Sequence, residues 1–138
     1  MSNHVSTGAV NHVALTVTDL SRSLDFYTGL LGFRKLMDLS PTRALLANDG
    51  GVLLALTLPP DPAQAPKDDR FNENRVGLDH LSLTVSGRAD LEAAVRAFDA
   101  RGISHGEIKD LGPVLPIYVL AFRDPDNLQL ELTAPHAA

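Results

Sequence analysis

An internal repeat constrains the fold of this chain more than any other feature. Residues 11–17 read NHVALTV and residues 79–85 read DHLSLTV, so His, Leu, Thr and Val recur in register. The repeated histidines, His12 and His80, are separated by about half of the 138-residue chain. A repeat of this kind indicates two similar supersecondary units.

Each copy of the repeat alternates between apolar and polar residues, which predicts a strand with one apolar and one polar face. In the first copy Val13, Leu15 and Val17 form the apolar face. The second copy follows the same pattern, and its polar face begins with His80. The polar faces are predicted to comprise His12, Ala14 and Thr16 in the first copy and His80, Ser82 and Thr84 in the second.

One helix and three further strands are predicted after each copy. The first helix carries an apolar stripe of Leu20, Leu24, Tyr27 and Leu31, with Thr18 or Asp19 as its cap and Gly32 as its stop. The second carries Leu91, Val95 and Phe98, with Asp90 near its start and Gly102 as its stop. The predicted strands are Phe33–Ser40, Arg43–Asn48, Gly51–Leu58, Ile103–Lys109, Ile117–Arg123 and Leu128–Thr133.

The predicted order of elements is β-α-β-β-β, and it occurs twice. The predicted fold class is therefore α/β in the broad sense, and α+β in the narrower classification. We expect a first module over residues 8–59, a proline-rich exposed linker over residues 60–75 and a second module over residues 76–135. The two modules together form one domain.

Composition excludes several functions. The chain has no Cys, which rules out disulfides, thiol catalysis and iron–sulfur clusters. Its formal net charge of −5 makes nucleic acid a poor partner. No stretch predicts a membrane span or a secretory signal, so we expect a cytoplasmic protein with no membrane partner.

Three polar side chains form a candidate metal site. His12 and His80 occupy equivalent places in the repeat, and Glu131 lies in the middle of the last strand, on the polar side of its alternation. Two imidazoles and one carboxylate match the ligand set of divalent metal sites with open coordination positions. We predict one divalent ion, with Fe, Mn, Ni, Co and Zn all chemically suitable.

The doubled β-α-β-β-β order, the strand histidines and the closing segment FRDPDNLQLEL at residues 122–132 resemble the vicinal oxygen chelate superfamily. That superfamily includes glyoxalase I, bleomycin-resistance proteins, fosfomycin-resistance thiol transferases and extradiol dioxygenases. The resemblance covers about residues 8–135. It implies two paired modules that form an open, curved cup of sheets, with the modules paired within one chain or exchanged across a homodimer.

The resemblance also assigns roles to residues. It implies that His12, His80 and Glu131 bind the metal and that Glu131 is catalytic as a proton shuttle. Ala55 falls at the position equivalent to Glu131 in the first module, so the fourth ligand of glyoxalase I is missing. Residues 111–118 lack the Ser and Lys groups with which fosfomycin transferases bind a phosphonate, which argues against that activity.

Other residues are candidates for the substrate pocket. Tyr118 and His105 are possible acid–base groups, and Phe71 near the linker is expected to line a cleft. Arg123 is expected to pair with Asp124 or Asp126, or else to reach an anionic substrate. The predicted substrate-binding residues are Thr16, Ser82, Gln129, Tyr118 and Phe71, in a pocket wall that also includes Ala14, Ala55, Thr57, Thr84 and Thr133.

Three classes of function stay open at this point. The first is a metal-dependent enzyme that acts on a small organic substrate by lyase, isomerase or extradiol-dioxygenase-like chemistry. The second is a metal-independent protein that sequesters an antibiotic or another small molecule, as bleomycin-resistance proteins do. Scarce aromatic residues, 5% of the chain, argue against the second. The third is a binding protein with a vestigial site.

Overall fold

Two four-stranded sheets, each with one helix, carry the two halves of the repeat. The computed structural model describes residues 3–136. The chain divides into two compact units between Ala65 and Pro66, inside the predicted linker. Each unit has the order β-α-β-β-β, so the predicted fold class is confirmed. The module boundaries themselves stay a prediction.

The first unit is a mixed sheet with the strand order β1-β4-β3-β2. β1 runs parallel to β4, and the other neighbours are antiparallel. A short 3-10 turn, Pro62–Gln64, follows the last strand within an exposed stretch. The elements are β1 (Val13–Thr16), α1 (Leu20–Gly29), β2 (Arg34–Ser40), β3 (Arg43–Ala47) and β4 (Leu53–Thr57).

The second unit repeats this plan with the strand order β5-β8-β7-β6. β5 is parallel to β8, and the other neighbours are again antiparallel. The elements are β5 (Leu81–Thr84), α2 (Arg88–Arg101), β6 (Lys109–Asp110), β7 (Ile117–Arg123) and β8 (Gln129–Pro135).

The helix ends follow the local sequence. The side chain of Asp19 accepts a hydrogen bond from the backbone N–H of Arg22 at 3.0 Å and so caps α1. In α2, Asp90 lies in the first turn and accepts from the backbone N–H of Gly87. Gly102 ends α2 in the left-handed region at φ 66°, where a residue without Cβ carries no steric penalty.

One face of each sheet is buried beneath its helix. In the first unit α1 packs against β4, and the predicted apolar residues Leu15 and Val17 are buried. In the second unit α2 packs against β7 and β8, with the Phe98 and Phe122 rings stacked at 4.5 Å. The opposite face carries the polar residues of the alternation, which sets the candidate site on that face.

Two predictions about local structure are wrong. The strand expected at Ile103–Lys109 is reduced to β6 and an isolated bridge between His105 and Phe122. Ser104 and Gly106 are hydrogen-bonded through their backbones to β7. The pairing of His105 with Phe122 and that of Lys109 with Val119 differ in register by one residue, so the ladder is interrupted between them.

The apolar stripe of α1 is also rotated from the prediction. The residues it buries are Ser23, Phe26 and Tyr27, whereas Leu20 and Leu24 are half-buried. The Phe26 and Tyr27 rings meet edge to face at 5.1 Å, and these larger side chains occupy the space beneath the helix. Neither this helix nor any other among residues 3–136 is long and apolar enough to cross a membrane.

Candidate functional site

His80 and Glu131 come together at the polar face of the second sheet. The parallel register of β5 and β8 pairs Ser82 with Glu131, and His80 precedes Ser82 by two residues, on the same side of the alternation. The His80 Nε2 atom lies 3.7 Å from Glu131 Oε1. The His80 side chain is 42% exposed and that of Glu131 is 20% exposed, so both remain accessible to a small ligand.

A carboxylate holds the second nitrogen of the His80 ring. Asp79 Oδ1 lies 2.8 Å from His80 Nδ1, and an ionised carboxylate only accepts hydrogen bonds. If the imidazole is neutral, this contact places its proton on Nδ1 and leaves the lone pair on Nε2, the nitrogen 3.7 Å from Glu131 Oε1. Gln129 Nε2 donates to both the side chain and the carbonyl of Asp79, each at 3.1 Å, and so holds Asp79 in place.

Hydroxyl groups hold the carboxylate of Glu131. Thr133 Oγ1 donates to Glu131 Oε1 at 3.3 Å, and the hydroxyl of Ser82 is hydrogen-bonded to the same Thr133 oxygen. Since Thr133 has one hydroxyl proton, Ser82 is the donor in that second bond. Ser82 and Gln129, which were predicted to bind substrate, therefore lie on the same face as Glu131. Ser82 supports Glu131 through Thr133, and Gln129 supports His80 through Asp79.

In the first unit, His12 occupies the position equivalent to His80 and has a similar neighbour at its Nδ1 atom. His12 Nδ1 lies 2.8 Å from Asn11 Oδ1, just as His80 Nδ1 lies beside Asp79. The β1–β4 register pairs Ala14 with Ala55, where β5 and β8 pair Ser82 with Glu131. Ala55 thus occupies the register position of Glu131 and supplies no donor. Thr16 is paired with Thr57 on the same face.

Across residues 3–136, no three His, Asp or Glu side chains lie together as a metal-binding group. The triad of His12, His80 and Glu131 therefore stays a prediction. What the structure does bring together is one pair of it, His80 with Glu131, within the second unit.

Tyr118 and His105 lie on the helix side of the second sheet, away from Glu131. Tyr118 is paired with Ala134, whose alternation is opposite to that of Glu131, and Arg88 of α2 lies 5.0 Å above its ring. His105 forms its bridge with Phe122, which is buried under α2. Neither side chain is placed to exchange protons beside Glu131, which corrects both expectations.

His105 and Phe71 both have structural partners within the second unit. His105 Nε2 lies 2.6 Å from Asp99 Oδ1, and this hydrogen bond raises the pKa of His105 above 6.5. Phe71 is joined to the β7–β8 turn through its backbone, by hydrogen bonds to Asp126 and Asn127. Phe71 lines a cavity of about 360 Å³ together with Arg70, Asn72, Glu73, Arg75, Ser104, Arg123 and Asn127.

The partner of Arg123 is Glu73, which lies 50 residues away along the chain. Both guanidinium N–O distances are 2.8 Å. Asp124, one of the partners expected from the sequence, accepts hydrogen bonds from the backbone of Asp126 and Leu128 and so shapes the turn.

Sequence reasoning did not identify the residues that hold the histidines. Each repeated histidine is directly preceded by a residue with a side-chain oxygen, Asn11 or Asp79, which was a visible signal. Such partners orient an imidazole ligand and fix its tautomer. The sequence also did not place Arg43 on the polar face of the first sheet, because that position depends on the register of β3 against β4.

Comparisons with protein families and with solved structures point to the same family. Residues 9–132 match the model of the family described as Glyoxalase/Bleomycin resistance protein/Dioxygenase superfamily. A solved structure of a glyoxylase/bleomycin resistance protein/dioxygenase domain from Frankia sp. EAN1pec is similar, with a TM-score of 0.80 and 32% identity. That likeness covers 94% of this chain and 99% of the Frankia chain.

Two curated relatives carry different activities in their names. Metallothiol transferase FosB from Staphylococcus saprophyticus is 28% identical over 90% of this chain and 75% of its own length. Catechol-2,3-dioxygenase from Bacillus subtilis is 30% identical over 91% of this chain. The match spans 41% of that dioxygenase, so this chain corresponds to less than half of it.

Proposed function

Because the chain belongs to the Glyoxalase/Bleomycin resistance protein/Dioxygenase superfamily, we propose that it is a divalent-metal-dependent enzyme acting on a small organic substrate. His12, His80 and Glu131 are the proposed metal ligands. The observation that carries the proposal is the pair of His80 and Glu131, whose Nε2 and Oε1 atoms lie 3.7 Å apart on one sheet face.

The donor set suits a divalent first-row metal. His80 offers Nε2 because Asp79 occupies Nδ1, and His12 has the same arrangement with Asn11. Glu131 adds a carboxylate oxygen, and nitrogen with oxygen ligands are compatible with Fe, Mn, Ni, Co or Zn. When bound, such a metal supplies Lewis acidity that stabilises negative charge on substrate oxygens.

The protein's own groups favour proton transfer as the reaction type. Glu131 is a partly exposed carboxylate able to take up or release a proton at Oε2 while Thr133 holds Oε1. Tyr118 and His105, the acid–base candidates for extradiol cleavage, lie on the helix side of the sheet. We therefore favour lyase or isomerase chemistry, with extradiol-type cleavage as the second reaction class.

The test is the metal content of protein purified without an affinity tag and without added metal. We expect about one metal ion per chain, as a three-ligand catalytic site requires. The variants His12→Ala and Glu131→Gln should lose it. Glu92→Gln is the matched control, since it removes the same charge from the exposed surface of α2. Full metal content in either triad variant would refute the ligand assignment.

Absence of metal from wild type, even after reconstitution with each of the five ions, would refute the metal-dependent proposal. The alternative is a protein that sequesters a small molecule without metal. Equal binding of a candidate antibiotic with and without EDTA would then favour this alternative.

We also propose a homodimer. Leu36, Met37 and Leu39 on the edge strand β2 are 48%, 53% and 48% exposed, and apolar edge strands are usually covered in stable proteins. Sedimentation at micromolar concentration tests this, and a strictly monomeric species would contradict it. The cytoplasmic location expected from the sequence stays a prediction.

A further inference from the structure

Arg43 lies on the same face of the first sheet as His12. The β3–β4 register pairs Arg43 with Thr57, and the β1–β4 register pairs Thr57 with Thr16. Cross-strand partners point to the same side of a sheet, and Thr16 shares its alternation with His12. The guanidinium therefore belongs to the polar face that the repeat presents, and not to the helix-covered face.

A cavity of about 370 Å³ opens beside Arg43. Arg43 carries the one charge among the described residues that line it, and its side chain has no hydrogen bond or ion pair with any residue between 3 and 136. The lining comprises Leu39, Ser40, Thr42, Arg43, Thr57 and Pro60.

The hydroxyl groups around the Arg43 guanidinium already form hydrogen bonds within the protein. Ser40 and Thr42 are hydrogen-bonded to each other, and Thr57 donates its hydroxyl proton to the carbonyl of Leu58. The cavity therefore offers one planar, permanently charged group and few further donors. A guanidinium matches a carboxylate through two parallel hydrogen bonds. A single positive charge suits a monoanion better than a phosphonate dianion, which needs more donors.

One row of the first sheet lies between His12 and this cavity. Ala14 and Ala55 supply two small side chains to this row, and Leu45, paired with Ala55, supplies a larger one. From His12 to Thr16 the strand rises by about 13 Å, which is the separation along the strand between the row of His12 and the row that contains Arg43. Ala55 is 6% exposed, and it contributes neither a metal ligand nor a bulky side chain to this face.

We infer that Arg43 anchors a carboxylate group of the substrate. The substrate class is then a small carboxylic acid that also carries two neighbouring oxygens, and this inference rests on the proposed function. Arg43 acts as a specificity residue that contacts the end of the substrate remote from the reacting oxygens.

The test compares two probes that differ in one charge, 3,4-dihydroxybenzoate and 3,4-dihydroxybenzamide. Calorimetric titration into zinc-reconstituted protein measures the binding of each without turnover. We expect wild type to bind the acid about tenfold more tightly than the amide, as a charge-assisted pair in a partly open site provides. In Arg43→Gln the affinity for the acid should fall about tenfold, and the affinity for the amide should stay unchanged.

Two further variants make the result specific. Arg43→Lys should retain part of the preference, since the charge stays but the planar fork is lost. Arg96→Gln removes the same charge from exposed α2 and should leave both affinities unchanged. An unaltered acid-to-amide ratio in Arg43→Gln, or no preference for the acid in wild type, overturns the inference. Binding of neither probe also overturns it.

Metal content separates this outcome from failure of the proposed function. If wild type and Arg43→Gln both contain metal but share one acid-to-amide ratio, the inference fails and the metal-dependent function stands. If wild type takes up no metal, the proposed function fails. The same titrations on metal-free protein then report on Arg43 alone, and a ratio that Arg43→Gln leaves unchanged overturns the inference there too.

Discussion

Glu73 and Arg123 form a two-pronged ion pair that joins the segment before β5 to the end of β7. Both N–O distances are 2.8 Å, and both side chains are about three-quarters covered. The hydrogen bonds from Arg123 lower the pKa of Glu73 from 4.5 to about 2. The pair fixes a segment that has no regular secondary structure of its own.

This ion pair predicts a specific loss of stability in acid. Between pH 4.5 and about 2 the unfolded chain takes up a proton at Glu73 that the folded chain does not. The free energy of unfolding should therefore fall as the pH drops through this window, and it should fall less in Glu73→Gln. Urea unfolding at a series of pH values measures the difference. Glu107→Gln, at an exposed position, is the control, and parallel curves for wild type and Glu73→Gln would contradict the prediction.

His105 and Asp99 predict a stability change near neutral pH. The hydrogen bond to Asp99, followed by that to the Gly106 carbonyl, raises the pKa of His105 above 6.5. The stabilisation is complete below pH 6.5 and is lost as the pH rises through the raised value. Asp99→Asn should flatten this dependence. Chemical unfolding between about pH 6 and about pH 8 tests it, and an unchanged slope in Asp99→Asn would refute it.

Because the Ser23 hydroxyl is buried, we predict that its removal does not lower the free energy of unfolding. Ser23 is fully buried in α1, and among the described residues its Oγ is a buried polar atom without a hydrogen-bond partner. Ser23→Ala removes that atom and improves helix propensity, so the free energy of unfolding should be unchanged or rise by about 1 kcal/mol. Urea denaturation measures it. A loss above about 1 kcal/mol would mean that the hydroxyl is satisfied in solution.

Asp79 predicts a graded effect on metal affinity. Asp79→Ala removes the acceptor for His80 Nδ1 and should weaken binding by about 10- to 100-fold. Asp79→Asn keeps an oxygen acceptor, as Asn11 does for His12, and should cost much less. Competition with a chromophoric chelator measures both. Equal affinities in wild type and Asp79→Ala would show that the Nδ1 hydrogen bond does not matter for metal binding.

Several features of the fold could be predicted because they depend on neighbouring residues. The alternation of apolar and polar residues placed Leu15 and Val17 in the core, and the glycine at 102 marked the end of α2. The stripe of α1 was misjudged because Phe26 and Tyr27 together fill the space beneath the helix, so that Leu20 and Leu24 stay half-buried.

For the candidate site, the sequence alone identified the repeat, the polar faces and the positions of His80 and Glu131 on them. Only the tertiary structure decided which side chains those residues meet. The distance between His80 and Glu131, the partner of Arg123 and the face of Tyr118 all follow from strand register and chain reversal. Local periodicity is encoded by adjacent residues, whereas register is a collective result of packing between residues far apart in the chain.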